Sequence, residues 1–311
     1  MKTQDRAYVF AALAVLCWST VASAFKLTLR EVDYLTLLVL SSGVSAVFLF
    51  LVLVARRKTS LIFDSFAAPW RPLLRSAANG LLNPFLYYVI LFKAYSLLPA
   101  QEAQPLNYTW PLMLVLLSAP MLGQRIRPVS VLAMLVSFLG VLIISTHGDL
   151  MGMRFTNLPG ALLAMSSAVV WALFWIVNVK DGRDEGLKLF LNFLFGFLYV
   201  LAAAAILTAL GSRPAVVPRM TAAGALGCVY TGLIEMGVAF TLWLKALRLT
   251  EATARVSNLV FLSPFVSLVF IRLVVGERIL ASSVLGLAFI AGGILIQRGV
   301  QSGPVRVRAS S

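Results

Sequence analysis

The chain has 311 residues, of which 60% are hydrophobic and only 12% charged, with a mean hydropathy of +0.92. That leaves far too little polar surface to coat a water-soluble globule of this length, so most of the chain has lipid as its solvent. The net charge of +14 does not point to nucleic acid, because the 26 Lys and Arg residues sit between apolar runs rather than on one face.

A bilayer-spanning helix needs ~20 apolar residues. Runs of that length are predicted at 7–26, 32–54, 73–98, 102–122, 128–146, 158–178, 187–210, 222–244, 252–275 and 281–297. Short polar stretches such as Arg56-Arg57-Lys58, Gly123-Gln124-Arg125 and Asp181-Gly182-Arg183 join them, as expected between antiparallel helices. With the N-terminus in the cytoplasm, 18 of the 26 basic residues fall on the inner side, so both termini are expected in the cytoplasm. Lys2 and Arg6, an apolar run and then Ala22-Ser23-Ala24 have the form of a signal peptide. The repeat below gives the first helix a counterpart in the second half, so it is expected to be retained. Cys17 and Cys228 lie inside apolar runs and read as small packing residues.

Shifting the chain against itself by 152 to 153 residues aligns Trp18 with Trp171, Lys93-Ala94 with Lys245-Ala246, and Pro111 with Pro264. The same offset pairs Gly123 with Gly276, Arg125-Ile126 with Arg278-Ile279, and Gly140 with Gly293. Such order over a whole half marks an internal repeat. Each half holds five helices, an odd number, so the second enters the membrane inverted. The predicted fold is all-α, with ten transmembrane helices in two inverted five-helix repeats around a central cavity. Its parts are a first repeat at 1–147, a second at 155–298 and a basic cytoplasmic tail at 299–311. That architecture suits a secondary transporter with a midplane substrate site and alternating access.

The sixth span carries Trp171, Trp175 and Asn178 at i, i+4 and i+7, one stripe suited to stacking on a flat ring and hydrogen-bonding a head group. Packing or an interfacial belt would use the same stripe. In the fourth span Asn107, Trp110 and Pro111 share a face, with the proline open to a kink or a cavity role. The third span shows a polar stripe of Asn79, Asn83 and Tyr87, with Tyr88 pointing to the opposite side; helix-to-helix hydrogen bonding and a watery cavity both explain it. Glu235 is the acid in the middle of a span, and the repeat offset makes it equivalent to Asn83, since 235 − 152 = 83. It is read as a residue that attracts a substrate's amino group or carries a proton, or else as a structural glutamic acid, and inverted symmetry is expected to bring it together with Asn83. His147 stands without a partner in the sequence pattern. No nucleophile and base, phosphate loop or metal cluster is legible, so an enzyme, a metal and a cofactor are all unexpected.

Ten helices in two repeats, with Trp18-Ser19-Thr20 in the first span and Gly276-Glu277-Arg278 closing the ninth, resemble the drug/metabolite transporter superfamily with its EamA-type repeats. Within it, Trp18-Ser19-Thr20, Asn107-Tyr108-Thr109-Trp110-Pro111 and Gly123-Gln124 are similar to the bacterial aromatic amino acid exporters of the YddG type. The resemblance implies efflux of phenylalanine, tyrosine and tryptophan, with cationic drugs as alternative cargo, and cavity roles for Trp18, Trp110 and Trp171. It also implies a small-molecule substrate and membrane lipid as partners, and leaves the oligomeric state open. The first half departs from the superfamily pattern in reading Gly-Gln-Arg at 123–125.

Overall fold

A computed structural model describes residues 3–67, 69–122, 128–151, 157–179, 181–211, 220–249 and 258–301. The Gly123-Gln124-Arg125 turn and nearly all of the basic tail lie outside these residues. Every regular element among those described is helical: α1 Thr3–Glu31, α2 Tyr34–Ala55, α3 Ser60–Ala67, α4 71–97, α5 100–122, α6 Pro128–Ser145, α7 Leu158–Val179, α8 Glu185–Ala209, α9 222–249, α10 258–275 and α11 Ala281–Gln301. Stretches in α1, α2, α7, α8 and α9 are long and apolar enough to cross a membrane, and 131–145, 263–275 and 281–296 form shorter apolar helices. The chain is a multi-pass membrane protein.

Helix starts follow the local sequence. Asp33 accepts from the Leu35 and Thr36 amides to start α2, and Asp184 accepts from Gly186 and Leu187 to start α8. Gly276, at φ 77°, stops α10 in the left-handed conformation that glycine adopts without a Cβ penalty. Short α3 lies within a stretch that the apolar pattern leaves as a link, and exposes Phe63 and Phe66.

Several predicted spans are not regular helices: α5 turns at 108–109, α10 opens with a 3-10 turn over Asn258–Leu262 and ends in a π turn over Ile271–Val275, and α4 and α9 carry wider breaks. In α4 the backbone widens into a π turn over Leu81–Leu86, and Asn83 takes φ −147°, ψ 120°, outside helical geometry, with Pro84 following. In α9 a π turn covers Thr231–Ala239. Adding 152 to 81–86 gives 233–238, so the two irregular segments fall at repeat-equivalent positions.

Lipid provides no hydrophobic drive between helices, so association rests on close approach of small residues and on interhelical hydrogen bonds. Gly232 sits against the backbone of Ser41 on α2, and Gly140 on α6 meets Gly286 on α11. Ser45 Oγ donates to Met236 O at 3.0 Å and Ser137 Oγ to Ile290 O at 3.1 Å. Each such bond is worth only ~0.6 kcal/mol on average in a bilayer, so the packing around the glycines carries more of the association. Partners are exchanged between the halves: α1 packs on α9 and α10, α7 on α4 and α5, α2 on α8 and α9, α8 on α4, and α6 on α11.

Candidate functional site

The helix crossings bring several of the sequence-selected residues into one aromatic chain. Trp243 packs on Trp18 with ring centroids 5.4 Å apart, and Trp18 meets Phe240 edge-on at 6.4 Å. Phe240 also meets Trp171, at 5.6 Å. Trp18 and Trp171, equivalent by the repeat offset, therefore share one aromatic neighbour. Trp171 stacks on Tyr87 at 4.7 Å with an interplanar angle of 36° and touches Trp175 at 6.0 Å. Tyr87 in turn meets Tyr88 at 4.7 Å.

At the end of this chain the Tyr88 hydroxyl donates to Glu235 Oε1 at 3.1 Å, while Glu235 Oε2 is buried without a protein hydrogen-bond partner. Glu235 is only 7% exposed and Tyr88 is fully buried. A carboxylate in such surroundings is costly unless something compensates it, and intramembrane acids are marks of function for that reason. The Tyr87 hydroxyl donates to Asn107 Oδ1 at 3.4 Å, and Asn107 Nδ2 donates to Ser167 Oγ at 2.8 Å, linking α4, α5 and α7 through polar side chains. Trp110 and Trp175 are partly buried against the same core and against the Ala7, Ala11, Ala14 and Trp243 group where α1 meets α9.

The polar stripe of the third span needs correction. Projecting Asn79, Asn83 and Tyr87 at 100° per residue assumes an unbroken helix, and the non-helical backbone at Asn83 invalidates it. Tyr88, set aside by that projection, is the residue that reaches Glu235. Asn79 and Asn83 are buried, and no hydrogen bond joins Asn83 to Glu235. The segment holding Asn83 packs on α7 and α8, and that holding Glu235 packs on α1 and α2, so the expected pairing of the two does not form. Asn178 lies near the end of α7, its side-chain oxygen buried and unpartnered. Sequence reasoning also missed Trp243, Phe240, Ser167 and Asn192, the last fully buried on α8 with both side-chain polar atoms unpartnered.

A second polar group joins the halves at the end of the molecule away from the N-terminus. Glu277, just past the Gly276 stop, accepts from the Ala100 amide at 3.0 Å and the Gln101 amide at 3.3 Å, capping α5 across the repeat boundary. The Gln101 side chain donates to Arg278 O at 2.9 Å and accepts from Leu280 N at 2.9 Å. Lys26 Nζ donates to Tyr95 O at 3.0 Å and Leu98 O at 2.6 Å. His147, expected to stand alone, has its Nε2 2.6 Å from Glu102 Oε1. The Gly276-Glu277-Arg278 string thus stops one helix and caps another. Among the described residues there is no cluster of His, Cys, Asp and Glu suited to a metal.

The EamA-like transporter family model matches residues 5–146 and again 158–298, so the chain carries two EamA repeats. An aromatic amino acid exporter YddG of Ancylobacter novellus is 28% identical over 232 residues, 74% of this chain and 75% of that one. An uncharacterized transporter of Clostridium kluyveri is 29% identical over 181 residues, 56% of each chain. A protein of known crystal structure superposes with a TM-score of 0.63 at 24% identity, covering 95% of this chain and 99% of the other, and so shares the fold.

Proposed function

We propose, because the chain belongs to the EamA-like transporter family, that it exports aromatic amino acids or closely similar solutes from the cytoplasm across the inner membrane by alternating access. On this proposal ten spanning helices form two inverted five-helix repeats around a central site, with both termini cytoplasmic. The exchange of packing partners, α1 with α9 and α10 against α7 with α4 and α5, supports the inverted arrangement.

The observation that carries the substrate class is the aromatic chain ending at a buried carboxylate. Trp18, Trp110, Trp171, Trp175 and Tyr87 offer stacking surfaces for a flat side chain, while Glu235 offers a counter-charge for an ammonium group. Asn107, tied to Tyr87 and Ser167 beside these rings, supplies an amide for the rest of an amino acid head group, and the buried Asn79, Asn83 and Asn178 are proposed to line the path that a substrate takes past it. The conformation is closed over Glu235, so loading requires the rings around it to part. Similarity to an aromatic amino acid exporter agrees with this substrate class.

A second reading, a carrier of flat organic cations, rests on the same carboxylate among aromatic rings, an arrangement that also suits a quaternary cation. Counterflow into proteoliposomes separates the two. Uptake of phenylalanine and tryptophan without threonine or ethidium is expected; ethidium without phenylalanine would transfer the conclusion to the cation carrier. Absence of flux for every solute, by protein that is demonstrably folded, would remove the transport proposal.

A further inference from the structure

The link between α2 and α4, residues 56–70, lies at the end of the molecule that carries the N-terminus. Helix α1 is long and apolar enough to cross the membrane from that end, and α2, joined to its far end through Val32 and Asp33, is long enough to cross back. The link is thus set down where lipid headgroups meet water, and short α3 falls within it. Leu61 and Ile62 of α3 pack against the hydrophobic core, and Ser65 is buried. At 100° per residue Phe63 and Phe66 stand about 60° apart on the opposite side, where they are exposed, Phe63 by 74%. Trp70, 66% exposed, and Leu74 extend this apolar surface onto the start of α4.

Cations border the rings. Arg57 precedes α3, and Arg71 and Arg75 follow Trp70; all three are exposed, and none joins an ion pair among the described residues. The other two basic residues of this stretch are placed differently: Lys58 is bonded to Asp184 at 2.5 Å, and Arg56 lines a hollow with Glu185. Asp64 is the one acid in 56–75, so three exposed cations against it leave a surplus of two positive charges. Arg71 and Arg75 stand in the first turns of α4, the end at which a helix dipole disfavours cations, and no acid accompanies them there. Helix stability therefore does not account for them, and they call for an anion outside the chain.

Exposed rings interleaved with cations fit an anionic phospholipid surface. An aromatic ring is stable at the headgroup boundary, where its apolar body meets acyl chain, and a guanidinium beside it meets phosphate. A soluble acidic partner would have to displace the lipid that the flanking spanning helices already hold against these rings. Rings alone would accept any lipid, whereas the charge surplus favours lipids of net negative charge over zwitterionic ones. We infer that residues 57–75 form an interfacial anchor for anionic phospholipid, with Phe63, Phe66 and Trp70 at the acyl boundary and Arg57, Arg71 and Arg75 on the headgroup phosphates. The anchor does not depend on which solute is transported.

The test uses the full chain in vesicles of phosphatidylcholine and phosphatidylglycerol, with one lipid or the other brominated near the top of its acyl chains. Quenching of Trp70 fluorescence, isolated by subtracting the signal of Trp70→Phe, reads which lipid lies beside the anchor. Brominated phosphatidylglycerol should quench at about one-fifth of the mole fraction that brominated phosphatidylcholine requires, the gain of one basic residue near an anionic surface. The preference should fade at about 1 M salt, where charges are screened within ~3 Å. Arg57→Gln, Arg71→Gln and Arg75→Gln combined should abolish it while Trp70 stays in reach of brominated lipid. Arg272→Gln, which removes an exposed cation toward the opposite end of the molecule, should leave it unchanged. Melting curves identify variants that are folded, and the salt series needs no variant. Equal quenching by the two lipids at low salt, or a preference that high salt leaves intact, would overturn the anchor. So would full preference in the folded triple variant. Loss of preference in Arg272→Gln would reduce the effect to general surface charge and overturn the site. Quenching of Trp70 by aqueous acrylamide but not by brominated lipid would place the segment in water and overturn the proposal in favour of a soluble partner.

Discussion

Tyr88→Phe removes one hydroxyl and leaves the ring that packs on Tyr87 at 4.7 Å and on Phe92 at 5.2 Å. The perturbation is therefore confined to the 3.1 Å bond to Glu235 Oε1, the hydrogen bond that ties this carboxylate to the protein. Neutral interhelical bonds in a bilayer average ~0.6 kcal/mol, whereas a bond to a charged group is worth about 1.5–3 kcal/mol. If Glu235 acts as an anion toward an ammonium substrate, the larger range applies, and transport efficiency should fall by roughly 10- to 150-fold. Glu235→Gln should cost at least as much, because it removes the counter-charge itself. Since the hydroxyl then has no charge to serve, Tyr88→Phe combined with Glu235→Gln should be no worse than Glu235→Gln alone. Initial rates of phenylalanine counterflow in proteoliposomes, measured over a range of concentrations, read all three variants. Additive losses in the double variant, or wild-type flux in Glu235→Gln, would refute the coupling.

Glu277→Gln should weaken the cap on α5, because a single amide oxygen replaces a carboxylate that accepts from both the Ala100 and Gln101 amides. A loss of about 0.5–2 kcal/mol in unfolding stability is expected, read by thermal melting in detergent. Asp181, in the connection between α7 and α8, should give a pH-dependent result. Burial pushes its carboxyl up, but hydrogen bonds from the Arg183 side chain, at 2.6 to 3.1 Å, outweigh this and hold it below the usual range. A depressed folded value stabilises above the unfolded pKa of about 3.9 and loses that contribution as pH falls through the folded value. Asp181→Asn should accordingly lower the melting temperature at pH 7, with the gap from wild type narrowing below about pH 4. Gly232→Leu should prevent stable folding, since even a Cβ there collides with the Ser41 backbone. Gly182→Ala, whose Cβ meets nothing within 4 Å, should fold normally, and size-exclusion chromatography in detergent reads both variants.

How much of this was legible in the sequence depends on whether a feature is local or crosses the repeat boundary. Apolar runs predict helices because every backbone group in lipid must be satisfied within its own segment, and α1, α2, α7 and α8 follow that rule closely. The repeat offset picked out Trp18 and Trp171, but not Phe240, which both of them touch. Phe240 and Trp243 belong to α9, and nothing in an apolar span marks which residue meets another helix. His147 and Glu102 stand 45 residues apart and are joined only when α5 and α6 fold beside each other. Tyr88 was hidden for a different reason: Asn83 breaks the helical geometry on which facing arithmetic depends.

The same break bears on where specificity resides. Inverted copies of one element present similar surfaces, so a site built only from matched repeat positions would be close to symmetric and would favour neither end of an amphiphilic solute. Trp18 and Trp171 are such a matched pair. Asn83 and Glu235 occupy matching places in segments that both depart from α-helical turns, yet one is an amide in a non-helical backbone and the other an acid held by Tyr88. No hydrogen bond joins the two side chains, so the amide does not offset the acid directly. On the proposed function, Glu235 gives the aromatic chain one acidic end, an asymmetry that would orient a molecule with an ammonium at one end and a flat ring at the other.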